Sequence, residues 1–276
     1  FPDEKELVDQ LNSIRERTDK PFGVNVSLFP GHDARTVDVT LDILARENIL
    51  IIETAGRNPE PHLNKIRQKG AIHLHKCARL RDAVKADKLG VDVVAVVGAE
   101  CGGHPGMEDV STNVLIPEVA GSINAPLVAG GGFGDGKGLV AALSMGAEGV
   151  IMGTRFLATK ECRIHKDFKE SLTKTGLTDT MVIQKSIGSP VRVIRNKWAE
   201  KVLEMEEGKA TLEELLPMLS GQLSGKAWLD GGTDAIFPCG QVAGRINDVP
   251  TIKELVDNVI TQADATADRV QNLKTS

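Results

Sequence analysis

Helix-period and strand-like segments alternate over the first two-thirds of the chain. Asp3 can cap a helix that carries Leu7, Leu11 and Ile14 on one face. Lys20-Pro21 ends it, and residues 22–26 follow as a strand. Asp33 is set to cap a second helix, with Val37, Leu41 and Leu44 on one stripe. Ile49-Leu50-Ile51-Ile52 then predicts a strand ending at Glu53, and Leu63 and Ile66 fall in a short helix closed by Gly70. Further strands are predicted at 71–75, 91–97, 127–129 and 149–152, with helices near 79–89, 113–120 and 136–145. The strand runs are short and apolar on both faces, which is the pattern of a parallel sheet covered by helices. After about Phe156 the rhythm stops. Residues 160–245 read as a smaller helical domain, and 251–273 as a closing helix with Ile252, Leu255, Val259 and Ala263 on one face.

Some six βα units in a row suit either a doubly wound sheet or a barrel. Closing a barrel of eight units needs two more. The chain opens at Phe1, directly in a helix, which leaves room for them upstream. The length of 276 residues is close to that of one such barrel. A content of 41% hydrophobic and 26% charged residues excludes a disordered chain. The net charge of −5 argues against a basic nucleic-acid face. No apolar run is long enough for a membrane span. Cys77, Cys101, Cys162 and Cys239 are scattered with no CxxC, so neither a zinc site nor a disulfide framework is expected, and a reducing cytoplasm fits.

Polar residues recur where predicted strands end. Asn25, Glu53, Lys76, the His104 loop, residues 130–132 and Gly153-Thr154 all lie at or after such ends, which share one face in a parallel α/β fold. In Ala129-Gly130-Gly131-Gly132-Phe133-Gly134-Asp135-Gly136 a strand enters a Gly-rich turn and a helix begins at about Asp135 or Gly136. Turned backbone N–H groups and a helix N-terminus together favour an anion, and with the Gly153-Thr154 turn they suggest a phosphate. The string from Gly136 to Ala141 also matches GxGxxA, but it lies in the helix start, and no acidic residue follows a second strand as a dinucleotide fold requires. In Glu100-Cys101-Gly102-Gly103-His104-Pro105-Gly106 two glycines present an imidazole able to carry a proton near neutral pH. Cys101 is the rival nucleophile there and would need a lowered pKa. Alternation puts Lys76 on one strand face and His73, His75 and Cys77 on the other. The two histidines lack a third metal ligand at suitable spacing and are expected to pack against helices.

Together these strings resemble the nitronate monooxygenase family, also called 2-nitropropane dioxygenases. The likeness rests on Pro21-Phe22-Gly23-Val24-Asn25, Glu53-Thr54-Ala55-Gly56, His75-Lys76-Cys77, the 100–106 loop, Gly130-Gly131-Gly132-Phe133, residues 152–158 and Gly240-Gln241-Val242-Ala243-Gly244. The same scaffold resembles that of NAD(P)H:quinone reductases and of the flavin-dependent enoyl-acyl-carrier-protein reductase. The resemblance implies FMN in a TIM (β/α)8 barrel with a small, mainly helical second domain. The resemblance implies that the barrel's first two strands precede this chain, which is expected to be a fragment of the gene product or the product of a truncated gene. The implied division is 1–158 for the FMN barrel, 159–245 for the helical domain and 246–276 for a helix returning to the barrel. Asn25, Lys76 and Gly102 would contact the flavin, and Gly130, Gly131, Gly132, Gly153 and Thr154 would hold its phosphate. Gln241 would approach from the second domain, and His104 would be the catalytic acid/base. The implied reaction is oxidation of alkyl nitronates by oxygen to a carbonyl compound and nitrite, with reduction of a quinone or enoyl thioester by NAD(P)H as the alternative. The expected partners are small molecules, with a homodimer allowed and with neither nucleic acid nor membrane. Two other readings are a barrel of the inosine-monophosphate dehydrogenase type, which needs a reactive cysteine, and a flavin-binding remnant without activity.

Overall fold

Asp3 accepts a hydrogen bond from the N–H of Glu6, so the first helix starts where its cap dictates. The computed structural model describes residues 3–28, 34–219, 221–232 and 235–273. The cap expected at Asp33 lies outside them. The strands are β1 (Val24–Ser27), β2 (Ile51–Ala55), β3 (Ile72–Cys77), β4 (Val93–Val97), β5 (Leu127–Gly130) and β6 (Gly149–Ile151), then β7 (Thr180–Ile183) and β8 (Val191–Ile194). The helices are α1 (Glu4–Arg15), α2 (Ala34–Arg46), α3 (Leu63–Ile66), α4 (Leu80–Lys88), α5 (Thr112–Ala120), α6 (Gly136–Ser144), α7 (Thr154–Leu157), α8 (Lys166–Lys174), α9 (Lys197–Glu207), α10 (Leu212–Leu219), α11 (Gly221–Asp230) and α12 (Ile252–Asn272).

The chain forms two compact units, 1–96 with 122–127, and 97–121 with 128–276. In the first, β1 to β4 pair in chain order and all in parallel. Segment 122–127 joins this unit because Val94 N–H donates to Pro126 and Asp87 accepts from the N–H groups of Asn124 and Ala125. The core packs Leu7 and Leu11 with Leu41, Leu44, Ile52 and Ile66, as the stripes on α1 and α2 predict. Ile14 is the exception and stays exposed. β1 and β2 run one and two residues past the expected ends, so Glu53 sits inside its strand, as Asn25 does inside the expected one. Ladder bonding uses the backbone, and a polar side chain does not stop it.

The second unit holds the parallel pair β5–β6 and an antiparallel pair β7–β8. The hairpin went unpredicted because its runs are only four residues long and Arg192 interrupts the second. Its buried face carries Met181, Ile183, Val191 and Val193 against Ala199, Val202 and Leu215. A second cluster joins Phe168, Leu172 and Ile194 to Phe237 and Ala243. Thr251 and Glu254 form a reciprocal capping box that starts α12. That helix lies along α6 so closely that a Cβ on Gly136 would come 2.3 Å from Ala263 N and Val259 O. Leu255 is buried there, whereas Ile252, expected on the same face, is exposed.

Candidate active site

In the first unit, register places Asn25 beside Glu53 and Glu53 beside Leu74. Lys76, two residues on, therefore shares their sheet face. Its Nζ donates to Glu53 Oε1 at 2.6 Å, and both side chains are about one-third exposed. The opposite face carries a buried polar set. Thr54 Oγ1 lies 2.7 Å from His73 Nε2 and 2.8 Å from His75 Nδ1. So the two rings share a hydroxyl, where the sequence suggested only packing. Burial lowers both pKa values to about 4, and for His73 the neighbouring His75 adds to the shift. Among the described residues no cluster of three or more His, Cys, Asp or Glu could hold a metal.

The second unit gathers the glycine turns. Gly130 stands opposite Ile151, so the turns after β5 and β6 leave adjacent strand ends. Gly131 has φ +96°, and a Cβ there would meet Gly98 N and Thr112 Oγ1 at 3.0 Å, so both conformation and space require glycine. Gly98 is tighter, since its Cβ would fall 2.2 Å from Thr112 Oγ1. Thr112 opens α5, and its N–H and hydroxyl donate to the Glu100 carboxylate at 2.9 and 2.6 Å. Glu100 thereby supplies the negative charge at that helix start. Its carbonyl accepts from Gln241 N–H at 2.9 Å, and Gly240 N–H donates to Thr154 Oγ1 at 2.8 Å. The 100–104 loop, the β6 turn and the Gly240-Gln241 turn are thus laced together. Gly153 has no atom within 4 Å of a Cβ position.

At the start of α6, two of the N–H groups expected to face an anion are taken up within the protein. Asp135 accepts from Gly138 N–H at 2.9 Å and is paired with Arg245, while Gly136 N–H donates to Gln262. These groups satisfy part of the helix end. Gly102 is pressed against backbone, its Cβ position 2.5 Å from Cys239 C. His104 follows it on an exposed part of the loop, with partial burial of the ring lowering its pKa. Cys101 is half-buried on the same turn, and burial pushes the Cys239 thiol up to about 12.

Glu100, Thr112 and Arg192 were missed by sequence reasoning. Arg192 carried a signal, a lone charge in an apolar run, and it is buried with Nε donating to Ala99 O at 3.0 Å. Thr112 carried none.

The model of the family described as nitronate monooxygenase matches residues 30–262. The chain belongs to the nitronate monooxygenase family. It is an oxidoreductase with that family's TIM-barrel-like fold. The (3aS,4S,5R,7aS)-5-hydroxy-7a-methyl-1-oxo-octahydro-1H-indene-4-carboxyl-CoA dehydrogenase of Rhodococcus jostii is 33% identical, over 94% of this chain and 82% of that protein. A Bacillus subtilis protein named "Probable nitronate monooxygenase" is 26% identical, over 91% of this chain and 70% of its own. The structure of FabK from Thermotoga maritima superposes with a TM-score of 0.90 at 31% identity, covering 98% of this chain and 85% of that one. Among the described residues no helix is long and apolar enough to cross a membrane.

Proposed function

We propose that the chain is an FMN-dependent oxidoreductase acting on a carbon acid, with His104 as the proton carrier. The observation that carries this reading is the register of β5 on β6, which sets the turn at 130–132 beside Gly153 and Thr154. The residues present fit a phosphate. Gly131 and Gly132 turn the backbone at positive φ, and open space lies beside Gly153. Thr154 gives its hydroxyl oxygen to Gly240, which leaves its O–H to donate to an anion. When bound, FMN supplies the acceptor or donor of two electrons. In the second unit Gly102 and Gln241 would border the flavin. In the first unit Asn25 and Lys76 share a strand face, where the ammonium of Lys76 favours negative charge on a ligand. His104 takes a proton from the carbon next to an electron-withdrawing group, or returns one to it. Its pKa, held below the ordinary imidazole value by burial, keeps it neutral and ready to accept at pH 7.

Acyl thioesters are the favoured substrates. Support comes from the 33% identity to a CoA-ester dehydrogenase, against 26% to a relative named for nitronates. Oxidation of alkyl nitronates to carbonyl compound and nitrite is the second reading, favoured by the family model over residues 30–262. The imidazole takes the α-proton of an acyl thioester or of a neutral nitroalkane, whereas a nitronate arrives already deprotonated.

Anaerobic mixing of the FMN-loaded chain with an acyl-CoA, an enoyl-CoA plus NAD(P)H, or an alkyl nitronate separates the two. Bleaching of the flavin by acyl-CoA or NAD(P)H is the expected result. Bleaching by nitronate alone selects the second reading, and no bleaching by any of them overturns both.

A further inference from the structure

Arg192 occupies a strand position where an apolar side chain would be the ordinary choice. Its neighbours Val191, Val193 and Ile194 are all buried, and it is itself only 7% exposed. A buried guanidinium recovers its lost hydration only through well-placed acceptors. Among the described residues its two acceptors are neutral. Nε donates to Ala99 O at 3.0 Å, and Nη1 donates to Thr180 Oγ1 at 3.2 Å across the hairpin. The main chain of the same residue makes a two-way contact with the loop. Arg192 N–H donates to Gly103 O at 2.7 Å, and Gly103 N–H donates to Arg192 O at 3.1 Å. One residue therefore grips the loop on both sides of Glu100-Cys101-Gly102, and His104 is the next residue in the chain. Between these grips, Gly102 is wedged on the backbone of Cys239 and Gly240. The planar fork of arginine suits this task, because it meets the carbonyl and the hydroxyl at once from a fixed plane.

We propose that Arg192 is a positioning residue for His104, holding the turn from which the imidazole is presented, so that the β7–β8 hairpin sets the geometry of proton transfer. The proposal rests on the reading of His104 as the proton carrier. Arg192 touches neither substrate nor cofactor in it. The hairpin acts as the template, and the loop takes its shape from the guanidinium and from the pairing with Gly103.

The test uses the full FMN-loaded chain with Arg192→Met, Arg192→Lys and Thr180→Val. His104→Gln serves to assign the His104 resonance among the six histidines. Two quantities are read, the titration of each histidine by NMR and the pH profile of kcat and KM. In Arg192→Met the loosened turn admits water to the ring. The His104 titration then moves up toward the ordinary imidazole range, and the other histidines hold. In the same variant kcat falls about 100-fold, the scale of a misplaced reacting group, and KM stays nearly constant. Arg192→Lys and Thr180→Val shift both readouts in the same direction by less. Folded Arg192→Lys and Thr180→Val proteins with the parent's His104 titration and pH profile would overturn the proposal, and they decide it even if Arg192→Met does not fold. Full turnover in His104→Gln would instead remove the proton-carrier reading, while the NMR titration would still report whether Arg192 holds the loop.

Discussion

The two units prepare their candidate residues by opposite means. In the first, the chemistry is in side chains projecting from a ladder, with Asn25, Glu53 and Lys76 on one face and Thr54, His73 and His75 on the other. In the second, it is in the backbone, at glycines where two chain segments come too close for any Cβ. A strand face is specified by a period of two and tolerates substitution one side chain at a time. A backbone cradle is specified by what is missing, and a single methyl group breaks it.

The largest effect is expected at Gly98→Ala. The added methyl collides with the first residue of α5, so the variant loses cooperative unfolding of the second unit, or FMN binding with it, as thermal denaturation and flavin fluorescence report. Next comes His104→Gln, which lowers turnover of a neutral nitroalkane or acyl thioester by roughly 100- to 10,000-fold. Unchanged steady-state rates would exclude it as the base. Third is Thr54→Val, which strips both histidines of their shared hydroxyl and costs about 1–3 kcal/mol in denaturant unfolding. The same pair gives the first unit a pH dependence. Its folded pKa values of about 4 lie below the ordinary value of 6.5, so the unfolded chain binds more protons between those limits. Stability is full above pH 6.5, falls as the pH drops toward 4, and levels off below. In Thr54→Val the shape of that fall changes, and an unaltered pH profile would mean the hydroxyl does not govern it. The smallest effect is at Lys76→Met, which removes the partly exposed ion pair with Glu53 and costs about 1 kcal/mol or less in denaturant unfolding of the first unit. A loss as large as that of a glycine variant would erase the contrast between the units.

This contrast also explains how much of the molecule the sequence made legible. The six short strands and the helices between them were readable because short apolar runs alternated with capped helices. Lys76 and the two histidines fell on the predicted faces. The turns at 130–132 and 153–154 were readable because glycine is conspicuous. What the glycines do was less so. Gly102 and Gly136 are each also held by close packing, against residues 239–240 and 259–263, far away in sequence and invisible in the local string. The start of α6 at Asp135-Gly136 was legible, but its partners Gln262 and Arg245 were hidden, since they come from the distant end of the chain. The hairpin that grips the His104 loop offered only two runs of four residues. Arg192 could have been suspected from its charge, but its partner Ala99 could not.

The central claim is that a phosphate rests against the paired turns after β5 and β6. Gly153→Ala tests it most directly, because the new methyl meets no protein atom and the φ of −93° suits alanine. Titration of FMN and riboflavin into the parent chain and the variant should show a parent that prefers FMN. The variant should unfold at the same temperature and bind FMN more than tenfold more weakly, a loss of at least ~1.4 kcal/mol, with riboflavin binding little changed. An equally folded variant that binds FMN as tightly as the parent would contradict the account.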